Sequence, residues 1–280
     1  MQSRLLLLAA AFLWSTAGAA MKLCQLSGWQ IAGGRSLVAG LFLFLAVRDA
    51  RRLPNLAVIA TAVGYAATVT LFAVANKLTT AANAIFIQST APLWVMVLSP
   101  RLLGERPSRA ELLSVPVYAV GLFCFFLDDL SPGQMLGNWV ALGAGLAFST
   151  CIIGLRGIKE RGPSALVYGN WISALVTAPL WLLEPAPATI DLLVLGYLGV
   201  FQLGLAYLCF ARGVARTPAL EASLLVLLEP VLNPIWTFFL AGERPGRWAI
   251  VGGSIVLGAT LWRTVSPIWM RAKHAEVSSS

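Results

Sequence analysis

Histidine is nearly absent from this chain: the one residue, His274, lies in a polar tail, so the commonest acid/base and metal-ligating side chain is missing from the apolar body. Charge is scarce too. Only 11% of the 280 residues are charged, against about 25% in an ordinary soluble domain, and no soluble fold of this length hides so much apolar surface. The four cysteines, Cys24, Cys124, Cys151 and Cys209, lie in or near apolar segments without paired spacing, which leaves disulfide and metal frameworks unsupported. The chain contains no Gly-x-x-x-x-Gly-Lys-Ser/Thr, no His-Glu-x-x-His, no Gly-x-Ser-x-Gly and no pair of aspartates within an apolar run. Direct ATP drive therefore has no binding loop in this chain. An intramembrane enzyme would need an acid/base pair, a nucleophile with its base, or a metal set. Neither a metal nor a cofactor is expected, and the chain is not expected to be an enzyme.

What is abundant is hydrophobic side chain, 58% of the residues. About 20 apolar residues cross the hydrocarbon of a bilayer as a helix. Ten such runs can be read, at roughly 4–22, 29–47, 55–76, 80–100, 109–127, 135–155, 164–183, 190–211, 218–240 and 247–265. Turn and charge signals separate them, among them Arg51-Arg52-Leu53-Pro54, Arg161-Gly162-Pro163 and Glu184-Pro185-Ala186-Pro187. The net charge of +8 is spread in short clusters between these runs, which is a topology signal and not a nucleic-acid footprint. With the N-terminus in the cytoplasm, fifteen Lys and Arg fall on inside positions and four, Lys22, Lys77, Arg244 and Arg247, on outside ones. Both termini are thus expected in the cytoplasm, with the chain multi-pass in the cell inner membrane. The first run could be mistaken for a secretory signal, but Trp14-Ser15-Thr16 echoes Phe148-Ser149-Thr150 and Lys22 echoes Arg156. It is read as a retained span.

A long internal repeat organises these runs. Pro92-Leu93-Trp94 … Gly104-Glu105-Arg106-Pro107 returns 138 residues later as Pro230-Val231-Leu232 … Gly242-Glu243-Arg244-Pro245. Five spans per half is an odd number, so the second half enters the membrane inverted, a common plan of transporters with a shared central site. The expected fold is all-α, ten transmembrane helices as two inverted five-helix repeats at 1–130 and 131–266, with a polar tail at 267–280. The two Gly-Glu-Arg-Pro blocks suit helix corners, with Gly ending one helix and Pro opening the next. Gly137-xxx-Ala141-x-Gly143-x-Gly145, Gly252-Gly253-Ser254-xxx-Gly258 and Ala17-Gly18-Ala19-Ala20 read as close-packing faces. Pro92 and Pro230 hold equivalent places in spans 4 and 9, where each bends a helix and frees a backbone carbonyl.

The proline-bearing span running into Gly-Glu-Arg is specific. On Ala81-Ala82-Asn83-Ala84 … Ala91-Pro92 … Gly104-Glu105-Arg106 and Ala219-Leu220-Glu221-Ala222 … Leu228-Glu229-Pro230 … Gly242-Glu243-Arg244, the chain resembles the EamA family of the drug/metabolite transporter superfamily. The resemblance covers nearly the whole chain. It implies a ten-span carrier of small organic solutes, amino acids and other metabolites included, with a cavity built from spans 1, 3, 4, 6, 8 and 9 and with spans 5 and 10 as outer scaffold.

Ionisable groups inside a span are costly and mark a pathway or a partner. Glu229 is the one acid near the middle of a span, and Asn233 and Trp236 fall on its face at helical spacing. This stripe could bind the amine and body of a solute, or the carboxylate could carry a proton. Equally, Glu229 could bond backbone groups freed near Pro230, and both roles stay open. Gln88 shares a small-residue face with Ala84, Ala91 and Val95, fit for a cavity wall or an interhelical hydrogen bond. Tyr65 in span 3 and Gln202 in span 8 are near mid-depth, and Gln202 is one residue from the repeat equivalent of Tyr65. Trp14 shares a face with Gly18 and Met21, although tryptophan commonly anchors at an interface, the role expected of Trp29, Trp139, Trp181 and Trp269. Arg35, two turns inside span 2, is expected to snorkel outward or to pair with Glu184 or Glu229, in preference to contacting substrate. Glu221 is expected to pair locally with Arg212 or Arg216. The composite is a secondary transporter of a small organic solute, a monomer or weak homodimer in the lipid bilayer, with no nucleic-acid partner. Lipid translocation is the alternative, followed by an intramembrane enzyme.

Overall fold

In hydrocarbon a backbone must satisfy its own hydrogen bonds, which for a chain without alternating strand patterns leaves helices. The computed structural model describes residues 2–79, 81–128, 135–241, 247–248 and 250–262, and among the described residues every regular element is helical. These are α1 (Gln2–Ser15), α2 (Ala17–Lys22), α3 (Gly28–Ala46), α4 (Leu56–Leu78), α5 (Ala81–Gln88), α6 (Ala91–Leu102), α7 (Arg109–Asp128), α8 (Met135–Ile158), α9 (Gly162–Trp181), α10 (Thr189–Tyr197), α11 (Ala206–Val214), α12 (Ala219–Leu225) and α13 (Leu228–Ala241), followed by α14 (Ile250–Trp262). Short 3-10 turns lie at Arg48–Arg51 and Lys159–Arg161, and a π-helical segment, Leu198–Leu205, joins α10 to α11.

Five stretches are long and apolar enough to cross a membrane: Gln2–Met21, Gly28–Ala46, Leu56–Leu78, Met135–Trp181 and Thr189–Val214. The fourth, of 47 residues, doubles back at Lys159, whose left-handed φ of 47° turns the chain. The reversal is visible in what each arm touches. Gly137, Gly154 and Gly64 bring α8 against α4 with Gly137 at Leu78 and Gly154 at Thr61, an antiparallel pairing. Along α9 the order runs the other way, Gly169 meeting Tyr65 and Ser173 bonding Thr70. The expected small-residue face of α8 is therefore a packing face. At Gly145 a Cβ would lie 3.1 Å from the Gln88 carbonyl oxygen, so glycine is what lets α8 approach that backbone. The outer surface is apolar in a way only lipid tolerates: Leu113, Leu175 and Leu183 are 73%, 74% and 88% exposed. The protein is a multi-pass membrane protein.

Helix breaks differ from the expectation of continuous spans. The run 4–22 divides at Thr16, between α1 and α2, where Ser15 Oγ and Thr16 Oγ1 donate to the carbonyls of Phe12 and Leu13 at 2.6 and 2.7 Å. Hydroxyls that back-bond in this way compete with the helical ladder. The run 80–100 divides at Ser89-Thr90 and the run 218–240 at Val226-Leu227, in each case shortly before Pro92 or Pro230. Each proline lacks an N–H and crowds the carbonyl four residues back, so the chain breaks rather than kinks. The two breaks fall at equivalent points of the repeat.

Repeat counterparts also touch one another. Ser36 Oγ of α3 donates to Ser173 Oγ of α9 at 3.1 Å, and the rings of Trp14 and Phe148 pack edge-on at 5.7 Å. Corresponding runs of the two halves thus lie in contact. At one end of the bundle the first-half corner is tied to the second half: Glu105 accepts from Arg156 Nε at 2.6 Å and from the Ala219 backbone N–H at 2.9 Å. Glu105 is thus more than a helix corner. Glu221 pairs with Arg4 at 2.6 Å, not with Arg212 or Arg216, because α12 packs on α1. The Gly242–Pro245 block and the tail 267–280 lie outside the described residues.

Candidate functional site

The two breaks converge. α5 and α6 meet at Ser89-Thr90, α12 and α13 at Val226-Leu227, and two adjoining cavities share Gln88, Phe148 and Glu229 between them. Glu229 stands in the first turn of α13, the end where a helix dipole favours a carboxylate. The residue is half-buried, lines both cavities, and takes no hydrogen bond from any side chain among the described residues. Gln88, the last residue of α5, faces it from the other break. Each cavity has room for ordered water but not for an organic solute, so a solute enters only if the helices move.

Arg35 enters this cavity from α3. It is 1% exposed, which rules out snorkelling, and neither Glu184 nor Glu229 pairs with it. Instead Nη1 donates to Gln202 Oε1 at 3.1 Å and Nη2 to the Val69 carbonyl at 2.7 Å. Nε has no acceptor. Close approach makes this possible: Gly199 sits where a Cβ would strike Val38 at 2.5 Å and the Arg35 carbonyl at 2.9 Å. Gln202 itself lies in the π-helical segment. A π turn carries an extra residue and rotates the side chains beyond it, a feature concentrated at functional sites. Helices α3 and α10–α11 run side by side here, so the rotated amide meets the guanidinium.

Aromatic rings form much of the rest of the wall, beside Thr68, Val69 and Leu203. Trp14, 3% exposed, packs 4.6 Å from Tyr207 and 5.1 Å from Phe210, and Trp14, Phe148 and Tyr207 all line the cavity. Trp14 is a wall residue, not an interface anchor. Trp139, 64% exposed, has the outward position expected of it.

Five of the eight candidates thus share one cavity: Trp14, Arg35, Gln88, Gln202 and Glu229. Tyr65 is one layer behind, 0% exposed, its ring 4.6 Å from Tyr207 and its hydroxyl donating to Asn170 Oδ1 at 3.2 Å. Asn233 and Trp236 line neither cavity. Asn233 lies against Gly18 of α2, where a Cβ would fall 2.6 Å from Asn233 Oδ1, and Trp236 Nε1 donates to Ser15 Oγ at 2.8 Å. Trp236 thus ties α13 to the broken first span, while Asn233 packs on it with Oδ1 unpartnered. The lining also adds span 2, through Arg35, to the spans that the resemblance implies. Tyr207 and Phe148 are among the wall residues that sequence reasoning does not single out as a site; the echo of Trp14 by Phe148 is the available signal.

Chemically, the site offers a guanidinium held by two hydrogen bonds, a carboxyl group that takes no side-chain hydrogen bond among the described residues, two amides and aromatic faces. That set suits the binding of polar and charged groups.

The model of the EamA-like transporter family matches the chain twice, over residues 2–127 and 135–264. An uncharacterised transporter of Bacillus subtilis, YwfM, is 30% identical over 266 residues, 87% of this chain and 88% of that protein. The threonine/homoserine exporter RhtA of Escherichia coli K12 is 30% identical over 201 residues, 70% of this chain and 60% of the exporter. A probable terminal-alkyne amino-acid exporter of Streptantibioticus cattleyicolor is 23% identical over 267 residues, 89% of this chain and 88% of that protein. One solved crystal structure superposes with a TM-score of 0.78 at 19% identity, covering 94% of this chain and 96% of its own, a likeness of fold.

Proposed function

Because this chain belongs to the EamA-like transporter family, we propose that it is a secondary transporter that exports a small organic solute, an amino acid or related metabolite, across the cell inner membrane by alternating access. In this reading ten spans form two inverted five-span units, residues 1–130 and 131–266, with both termini and the tail 267–280 in the cytoplasm. The protein is a carrier and not an enzyme, acting as a monomer or weak homodimer. The observation that carries the reading is the meeting of two equivalent helix breaks at a cavity lined by Arg35, Gln88, Gln202 and Glu229. Broken helices put half-helix ends and unpaired polar groups at mid-membrane, where a carrier holds its solute.

The tie at one end supports alternation. Glu105 with Arg156 and the Ala219 N–H, and Arg4 with Glu221, hold the halves together on the side assigned to the cytoplasm. Opening there requires these bonds to release. The amino-acid exporters among the relatives support the solute class. The test is reconstitution: purified protein in proteoliposomes should move at least one member of an amino-acid and amine panel in counterflow. A protein that moves none in either direction is not this transporter.

A further inference from the structure

Among the described residues, Arg35 and Glu229 are the base and the acid that line the central cavity, and neither has an ion-pair partner there. Charge at mid-membrane is expensive, and bundles ordinarily neutralise it by pairing. Here an acid and a base open on the same space without joining: no ion pair links them, and no other charged group among the described residues pairs with either.

The donors of Arg35 can be counted. A guanidinium has five N–H groups in a planar fork. The Gln202 amide oxygen and the Val69 carbonyl take one each, and Nε is without an acceptor although the side chain is 1% exposed. The two bonds fix the plane and leave donors unused. Glu229 is the complement, since a carboxylate can accept about four hydrogen bonds and none is made to it among the described residues. The rings of Trp14, Phe148 and Tyr207 line the same cavity, and aromatic faces attract a cationic group and cover an apolar body.

We propose that the cavity selects zwitterions, with Arg35 binding the solute carboxylate through its unused fork and Glu229 binding the solute ammonium. The proposal rests on the transporter reading and narrows it. A cation alone leaves Arg35 unneutralised and meets its charge; an anion alone does the same at Glu229. A zwitterion satisfies both, and the planar fork suits a carboxylate better than a point charge would. Arg35 and Glu229 are then specificity determinants at opposite ends of one solute.

Two matched sets of probes test this in proteoliposomes loaded for counterflow: L-threonine with 1-aminopropan-2-ol and N-acetyl-L-threonine, and L-phenylalanine with phenethylamine and N-acetyl-L-phenylalanine. In the wild type the parent amino acid should compete at least ~10-fold better than either partner that has lost a charge, a difference of about 1.4 kcal/mol. Arg35→Gln should shrink the penalty for losing the carboxylate to within about twofold and leave the penalty for acetylating the amine. Glu229→Gln should do the reverse. If Arg35→Gln does not fold, Arg35→Lys keeps the charge without the fork and should reduce the carboxylate penalty by part. A merely structural role would lower every rate alike and leave both ratios intact, which overturns the proposal. So does a wild type that moves the amines or the N-acetyl acids as well as the parents. A wild type that moves nothing overturns the transporter reading itself, and the proposal with it.

Discussion

The two halves of this protein share a backbone device and disagree about charge. Each half breaks a span just before a proline, at Ser89-Thr90 and at Val226-Leu227, and each break opens on the cavity. Behind the break the first half places Ala91 and the second Glu229. In the second span of each half the disagreement reverses. Aligning Ser36 with Ser173, which hydrogen-bond to each other, puts Arg35 opposite Ile172. Each half thus contributes one charge that its counterpart lacks. In the proposed carrier, duplication gives a symmetric frame able to rock about its axis, and the unpaired substitutions give that frame a direction and a chemistry.

Removing the asymmetry from the first half is expected to have the largest effect. Arg35→Ile installs the counterpart residue and deletes two charge-assisted hydrogen bonds, each worth about 1.5–3 kcal/mol. It also leaves the Gln202 oxygen without its donor. Transport should fall by at least ~100-fold, taking about 1.4 kcal/mol for each tenfold, measured as initial counterflow rate at equal reconstituted protein. Retention of a tenth of the wild-type rate would make Arg35 a packing residue and the comparison empty. Glu229→Ala does the same for the second half. It removes no bond made in the resting protein, so its cost appears only with solute bound, and a fall of roughly tenfold is expected. Moving the acid, Glu229→Ala with Ala91→Glu, should not restore the rate, because Arg35 stays in the first half and the distance between the charges changes. Restoration would mean that a mid-membrane acid is needed but its position is not.

The charges themselves are legible in the amino-acid sequence. An arginine, a glutamate and two glutamines stand out in apolar runs because lipid makes them costly, and all four line the cavity. The helical character and the repeat are legible for the same reason, long apolar runs with matched punctuation. Two things are not. Periodicity gives a face and not a depth: Asn233 and Trp236 share the face of Glu229, but Trp236 is seven residues on, about 10 Å along the axis. That distance takes it past the cavity to Ser15 of α1. The π-helical segment at Leu198–Leu205 has no composition of its own, and its extra residue shifts the register on which face arithmetic depends. Such arithmetic therefore does not bring Tyr207, just beyond the segment, to the wall, while depth along span 3 assigns to the wall Tyr65, which stands behind Tyr207.

A third prediction concerns the tie between the halves. Glu105 and Arg156 have side chains 25% and 21% exposed, and Glu105 also caps the start of α12 through the Ala219 N–H. Glu105→Ala strips Arg156 of its charge partner and should cost about 1–3 kcal/mol of stability, read as a lowered midpoint of thermal unfolding in detergent. A double-mutant cycle with Arg156→Met separates the pair from the cap. A coupling energy near zero would show the tie to be incidental, and alternation would then need another latch on that side.

The smallest expected effect is the finest test of symmetry. Ser36 and Ser173 are repeat counterparts bonded across the axis, but they are not equal partners. Ser173 Oγ also shares a hydrogen bond of 2.8 Å with Thr70 Oγ1, whereas Ser36 has Ser173 alone. Side-chain hydrogen bonds between membrane helices are modest, averaging about 0.6 kcal/mol in double-mutant cycles. Ser36→Ala should therefore cost about that much, since it leaves Ser173 with Thr70. Ser173→Ala withdraws the partner of both Ser36 and Thr70 and should cost roughly twice as much, about 1 kcal/mol. Equal losses from the two would mean that the axis bond dominates and Thr70 adds nothing. A larger loss from Ser36→Ala would place the weak point of the interface on α3, the helix that holds Arg35, and would join the stability of the axis to the charge that breaks its symmetry.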